Sequence, residues 1–107
     1  MLDFYAVEDM HPWPDDMPAA RRLIGSMSSE DFHSSDGLVS QCLRACGCDR
    51  SHFDDWIIPR EEIAPLLRCL RETAARLPHP VNPNSGLGML MSIIARAEGS
   101  ILLAVCD

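Results

Sequence analysis

Residues 59–77, PREEIAPLLRCLRETAARL, most restrict the fold because they carry the clearest helical pattern in the chain. Proline is tolerated in the first turn of a helix, where its missing amide hydrogen would have no partner. Glu61 and Glu62 lie in that turn and complement the positive end of the helix dipole. The helix carries one apolar stripe that must pack against another element. The stripe consists of Ile63, Leu66, Leu67, Leu70, Ala74 and Leu77.

Further helical segments are predicted around this one. Residues 36–46 place apolar side chains three and four positions apart, which indicates an amphipathic helix. Residues 87–98 are apolar around most of their circumference, which is typical of a central buried helix, and Asn84 or Ser85 is placed to cap its start. Residues 19–27 are predicted as a short helix. A new helix then starts at Ser28, whose side chain is placed to cap the amide of Asp31.

Both ends of the chain have the composition of β-strands. Residues 2–7 place apolar side chains at alternate positions, and residues 100–106 form a continuous apolar run. The proline-rich segments 8–18 and 78–86 are predicted as loops. The predicted fold is a single α+β domain over residues 1–107, mostly helical. Three to four helices pack on a small sheet of two or three strands, in which the N- and C-terminal strands pair.

The acidic residues are concentrated in the first third of the chain. The net charge is −7, and arginine carries all the positive charge. Residues 1–36 contain eight acids and two arginines, whereas residues 37–107 contain eight acids and seven arginines. An acidic field repels phosphate groups, so binding to nucleic acid or to an anionic membrane is not expected. The field attracts a basic partner protein, although such a charge also serves solubility alone.

A tryptophan lies within this acidic third. Trp13 stands between two prolines and is flanked by acidic pairs, which is the composition of a binding hot spot on a stiff loop. The alternative is that Trp13 covers the small core. Trp56 is predicted in the core, at helical spacing with Phe53 and Ile57. The predicted partner-binding residues are Glu8, Asp9, Trp13, Asp15, Asp16, Glu30 and Asp31.

Three cysteines and a histidine fall within residues 42–52, CLRACGCDRSH. A zinc site needs four such ligands in a tetrahedral arrangement, usually from two separate clusters. A helix end accounts for the same residues, because cysteines four positions apart share one helical face and Gly47 supplies the left-handed residue that ends a helix. No metal or cofactor is therefore predicted. The alternative is a small zinc-binding module through Cys42, Cys46, Cys48 and His52.

The sequence contains no recognised motif for phosphate binding, serine hydrolysis or zinc proteolysis. A Cys–His pair that meets only in space would escape such a search. The chain is predicted not to be an enzyme. Its N-terminus lacks the basic and apolar regions of a signal peptide, and its five cysteines cannot all pair within one chain. A cytoplasmic protein with reduced thiols is expected.

In size, acidity and helix-rich layout, the chain resembles the small acidic immunity proteins with which bacteria neutralise nuclease and other toxins. The resemblance implies an acidic face that mimics phosphate and blocks a basic active site. The predicted function is a non-catalytic inhibitor or immunity protein, monomer or homodimer, for a basic toxin or effector. Phage-encoded inhibitors of host defence share this description. An acidic chaperone or adaptor for a secreted protein is the alternative, and it would expose an apolar groove and dimerise.

Overall fold

The structure, a computed structural model, describes residues 1–8, 21–48 and 55–106. Within these ranges the chain forms four strands and four helices. In chain order they are β1 (Leu2–Val7), β2 (Arg21–Met27), α1 (Ser29–Phe32), α2 (Ser34–Ala45), β3 (Trp56–Ile58), α3 (Arg60–Ala75), α4 (Gly86–Arg96) and β4 (Ile101–Cys106). The strands form one antiparallel sheet in the order β2-β1-β4-β3.

The predicted sheet of two or three strands is wrong, because the described residues alone contribute four strands. The two terminal strands do pair, from Leu2 opposite Cys106 to Val7 opposite Ile101. They form the centre of the sheet, and β2 and β3 are added at its two edges. Both edge strands come from segments whose apolar spacing had suggested helix.

A β-bulge explains why β2 has the sequence pattern of a helix. The pairing of β1 with β2 shifts between Phe4 and Tyr5, which leaves Ile24 as an extra residue on β2. The extra residue shifts the alternation of the strand, so Ile24 and Met27 are both buried although they lie three positions apart. Three positions is also a helical spacing. The short helix predicted at 19–27 is therefore wrong over Arg21–Met27.

The bulge is fixed by contacts with α4. The Nη1 atom of Arg96 donates a hydrogen bond of 2.9 Å to the carbonyl oxygen of Ile24, the extra residue. Next to it, Gly25 lies against Ile93. A Cβ atom at Gly25 would lie 2.6 Å from Cγ1 of Ile93 and 2.8 Å from its Cδ1. The strand therefore needs glycine at this position, because the helix packs directly on the backbone.

The helices pack on the sheet and enclose the core with it. Trp56 is fully buried there, which confirms its predicted place in the core. Its ring meets Phe4 edge to face, with centroids 5.4 Å apart, and Phe32 at 6.1 Å. Its neighbour Ile57 is 36% exposed, because consecutive strand residues point to opposite faces. The helical spacing predicted for these two residues is wrong, and Phe53 lies outside the described residues.

The predicted helix starts are largely confirmed. The Ser28 side chain accepts a 3.1 Å hydrogen bond from the amide of Asp31 at the start of α1. Ser85 caps α4 by accepting a 3.2 Å hydrogen bond from the amide of Gly88.

No helix in the described ranges combines the length and the apolar character needed to cross a bilayer. The predicted stripe of α3 is buried at Ile63, Leu66, Leu67 and Leu70.

Candidate functional site

The acidic residues that the sequence singled out do not gather at one place. Glu8 directly follows the last residue of β1, whereas Glu30 and Asp31 lie in α1. That helix follows Met27, which pairs with Leu2 at the other end of β1. Six strand residues at about 3.3 Å each separate the two groups by roughly 20 Å. The remaining predicted residues, Asp9, Trp13, Asp15 and Asp16, lie outside the described ranges.

Glu30 and Asp31 have a local structural role. Both lie in the first turn of α1, where negative charge complements the unpaired amides of the helix start. The amide of Asp31 is bound by Ser28. Both acids are therefore explained by their contribution to the start of α1.

At the Glu8 end, Arg60 connects three parts of the fold. Its Nη2 atom donates a 2.7 Å hydrogen bond to the carbonyl oxygen of Glu8, and its Nε atom donates one of 2.8 Å to that of Gly99. The carboxylate of Glu8 also accepts a 3.3 Å hydrogen bond from Ser100. Because Arg60 is the first residue of α3, these bonds hold the start of that helix against the end of β1 and the start of β4.

The surface charge in these connected segments is mainly negative. Glu61 and Glu62 follow Arg60 in the first turn of α3, and Glu98 lies just before β4. All three side chains are exposed, as is Glu8. These four exposed glutamates accompany Arg60, whose donors are directed at backbone carbonyl oxygens. The exposed Arg21 and Arg22 lie at the same end of the sheet but on its far edge strand, β2, where Arg21 pairs with Val7. The negative charge is therefore concentrated towards α3 and β3.

A groove of about 550 Å³ opens beside these glutamates, between the end of α2, the strand β3 and the first turns of α3. Ile58 and Leu66, both buried, form its floor. The exposed Glu61 and Glu62 stand at its rim, and Cys48 lines it on the side of α2. The groove therefore combines an apolar base with two carboxylates.

Two residues of β3 line the groove. Ile57 and Ile58 are consecutive strand residues, so their side chains point to opposite faces of the sheet. Both contribute to the lining, together with the end of α2 and the first turns of α3. Among the described strands, β3 pairs with β4.

The end of α2 confirms the predicted helix stop. Gly47 adopts a left-handed conformation with a φ of 77°. The amide of Cys48 then donates a 2.9 Å hydrogen bond back to the carbonyl oxygen of Leu43, and that of Gly47 donates one of 3.0 Å to Arg44. This pair of bonds is the Schellman arrangement that ends many helices. Cys48 is thereby placed beside the groove by backbone geometry.

The thiols of α2 are held in their protonated form. Burial raises the pKa of Cys42. Burial and a hydrogen bond with Cys69 raise the pKa of Cys46 to about 11, and Thr73, whose Oγ1 lies 3.6 Å from the Cys46 sulfur, acts weakly in the opposite direction. Zinc ligation and nucleophilic attack both require a thiolate. These two thiols therefore pack α2 against α3 in the protonated state.

Within the described residues, no three or more His, Cys, Asp or Glu side chains are grouped so that they could hold a metal ion. His52, the fourth ligand of the alternative zinc module, lies outside them. The groove contains carboxylates and thiols on different walls. Its chemistry suits binding through charge and apolar contact.

No family model, curated protein or solved structure matches the chain. Function is therefore inferred from the groove and the charges around it. From the sequence, Glu61 and Glu62 were assigned to the helix dipole alone, and the groove was not predicted. It depends on the pairing of β3 with β4, which no local pattern indicates. The available signal was Pro65, a proline inside a strong helical pattern, three residues after an acidic pair.

Proposed function

We propose that this protein is a non-catalytic binding module that holds a basic segment of a partner protein in the groove beside β3. The observation that carries the proposal is the apolar floor of Ile58 and Leu66 under the exposed carboxylates of Glu61 and Glu62. Apolar burial supplies affinity, and the carboxylates favour a partner with lysine or arginine beside its apolar residues.

The charge of the whole chain supports the same partner class. Its net charge is −7, and Glu98 adds negative charge near Glu61 and Glu62, because Arg60 binds the carbonyl oxygen of the adjacent Gly99. Such a field accelerates the approach of a basic protein. As an inhibitor or immunity protein of the cytoplasm, the protein would cover the basic active site of a toxin or nuclease with this surface.

A chaperone or adaptor for a secreted protein is the second candidate. It is favoured by the apolar floor of the groove and by Leu23 and Ile57, which are 58% and 36% exposed. A chaperone would bind apolar segments with little dependence on salt and would form a dimer. The salt dependence of binding separates the two candidates, since only the binding of a basic partner by the proposed inhibitor should weaken markedly with added salt.

The test uses two blocked heptapeptides, one alternating arginine with leucine and the other alternating glutamate with leucine. Binding is measured by fluorescence anisotropy at about 50 and about 300 mM salt. We expect the arginine peptide alone to bind, and more weakly at the higher salt because exposed charges are screened. The double substitution Glu61→Gln with Glu62→Gln should weaken it about three- to tenfold, since exposed ion pairs contribute about 0.3–0.7 kcal/mol each.

Glu72→Gln is the matched control. Glu72 is an exposed residue of the same helix, about 15 Å further along its axis, and its substitution removes the same kind of charge. Affinity should change little in this variant. If Glu72→Gln lowers the affinity for the arginine peptide as much as the double substitution does, only the net charge of the protein matters. If the glutamate peptide binds as tightly as the arginine peptide, the proposal is wrong.

A further inference from the structure

A second cavity lies at the other end of α3 from the groove. It is formed by the last turns of α3 and by the segment that follows this helix. Its volume is about 510 Å³, which falls within the range of roughly 300–1,000 Å³ that is usual for ligand sites.

Much of the lining of this cavity is apolar. Ala74, Leu77 and Val81 line it, are partly buried and pack against the hydrophobic core. Pro78 and Pro80, which are exposed, extend the apolar lining towards the opening. A ligand with an apolar body would remove these side chains from water, which favours binding.

The wall that follows α3 is held in place by its prolines and by α4. The rings of Pro78 and Pro80 restrict the φ angles of this wall. Directly after it, the chain packs against the start of α4, where a Cβ atom at Gly88 would lie 2.8 Å from Cα of Pro83. A wall that is already ordered loses little entropy when a ligand binds.

Two side chains bring hydrogen-bond donors to the cavity. Arg71 lies on α3 and His79 on the segment after it, and both are exposed. Neither side chain forms a hydrogen bond or an ion pair with another residue in the described ranges. The guanidinium of Arg71 presents N–H donors in the fork geometry that matches a carboxylate, and the ring of His79 can donate one more.

The helix dipole does not account for Arg71. Cations stabilise a helix end within its last turn, and the last turn of α3 contains no basic residue. Residues 68–79 contain three arginines and one glutamate, so this end of α3 is locally positive although the whole chain is negative. Two carbonyl oxygens at the helix end, which would repel an anion, accept hydrogen bonds from the amides of Arg76 and Leu77.

We propose that this cavity binds an organic carboxylate that carries an apolar body. The carboxylate would lie against the guanidinium of Arg71, and His79 would donate a further hydrogen bond to it. The apolar body would cover Leu77 and Val81. This site goes beyond the proposed function, because it lies at the opposite end of α3 from the groove and selects a ligand of the opposite charge.

The experiment titrates the protein with phenylacetate, with its uncharged analogue phenylacetamide, and with acetate, which lacks the apolar body. Backbone amide shifts in two-dimensional NMR spectra show where each compound binds. We expect phenylacetate to bind with a dissociation constant of roughly 1 mM, as is reasonable for a ligand of about ten non-hydrogen atoms. Phenylacetamide and acetate should each bind at least about tenfold more weakly. The shifted amides should be those of Ala74, Ala75, Leu77, His79 and Val81.

Two variants test the contact with the carboxylate. Arg71→Gln should weaken the binding of phenylacetate about three- to tenfold, because it removes the charged donor. Arg68→Gln is the matched control. Arg68 is also exposed on α3, three residues earlier, but lies outside the lining of the cavity, so its substitution should change the affinity little.

Several results would contradict the inference. If phenylacetamide binds as tightly as phenylacetate, the cavity does not select a carboxylate. If Arg68→Gln weakens binding as much as Arg71→Gln, only the general positive charge acts and the assigned contact is wrong. The inference is also wrong if phenylacetate shifts amides elsewhere, or does not bind at a concentration of about 10 mM. The proposed function is tested separately, by the binding of peptides to the groove.

Discussion

The two edge strands of the sheet are maintained by different interactions. β2 is seven residues long and irregular, and its bulge depends on Arg96 and on the close contact of Gly25 with Ile93. β3 has three residues and regular pairing, and it is held by burying Trp56 and Ile58. Backbone contacts with a helix thus protect the first edge. Buried side chains anchor the second edge, which lies beside the groove.

The largest loss of stability is expected when the buried side chain of Trp56, which anchors β3, is removed. Trp56→Ala should lower the free energy of unfolding by about 3–5 kcal/mol, because it empties a fully buried site between Phe4 and Phe32. Urea denaturation followed by circular dichroism measures the change. Ile57→Ala is the control on the same strand and should cost much less, since Ile57 is 36% exposed. If both substitutions lower the free energy of unfolding by the same amount, β3 is not anchored through its buried face.

A smaller effect is expected from closing the space at the bulge of β2. Gly25→Ala should destabilise the protein by about 1–3 kcal/mol, because the new methyl group would overlap Ile93. The substitution should cost far less in a protein that already carries Ile93→Ala. A double-mutant cycle in urea measures this coupling. The absence of coupling would mean that glycine is required for another reason.

Arg96→Met tests the hydrogen bond from Arg96 to the carbonyl oxygen of Ile24, the extra residue of the bulge. Removing the guanidinium leaves the carbonyl oxygen of Ile24 without its charged donor, and about 1–2 kcal/mol of stability should be lost. Arg44→Met is a matched control, because Arg44 also lies in the last turn of its helix and interacts equally with a helix dipole. A loss of the same size in both variants would assign the effect to the dipole.

The smallest effect concerns the wall of the groove and appears only at alkaline pH. The pKa of Cys46 is raised from 9.0 to about 11, so between these values the unfolded chain binds fewer protons than the folded protein. The free energy of unfolding should therefore fall as the pH rises from about 9 to about 11. Denaturation of the wild type and of Cys46→Ala at pH 8, 9, 10 and 11 measures this contribution. Parallel pH profiles would contradict it.

Local patterns predicted the helices well because their signals lie within each segment. The stripe of α3, the caps at Ser28 and Ser85 and the stop at Gly47 each require only neighbouring residues. The terminal strands were also predicted, since both are strongly apolar. β2 was not, because its bulge gives buried side chains a helical spacing. A bulge of this kind is set by packing against α4.

The candidate site was harder to predict than the fold. β3 has three residues, too few to show an alternating pattern, and its position depends on β4, which follows more than forty residues later. The carboxylates of Glu61 and Glu62 had a sufficient explanation within α3. Only the assembled sheet places them at a groove that residues of β3 also line. Of the acids predicted from charge density, those within the described ranges lie at opposite ends of β1, with Glu8 at one end and Glu30 and Asp31 at the other.

The central position of β1 and β4 has a consequence for the order of folding. A ribosome releases the first strand long before the last, so β1 must wait for nearly the whole chain before its second neighbour arrives. The hairpin of β1 and β2 is the sheet contact that becomes available earliest. Joining Leu2 and Cys106 closes a loop of almost the full chain, which is slow. A circular permutant that links the two ends directly should therefore fold faster than the natural order of strands.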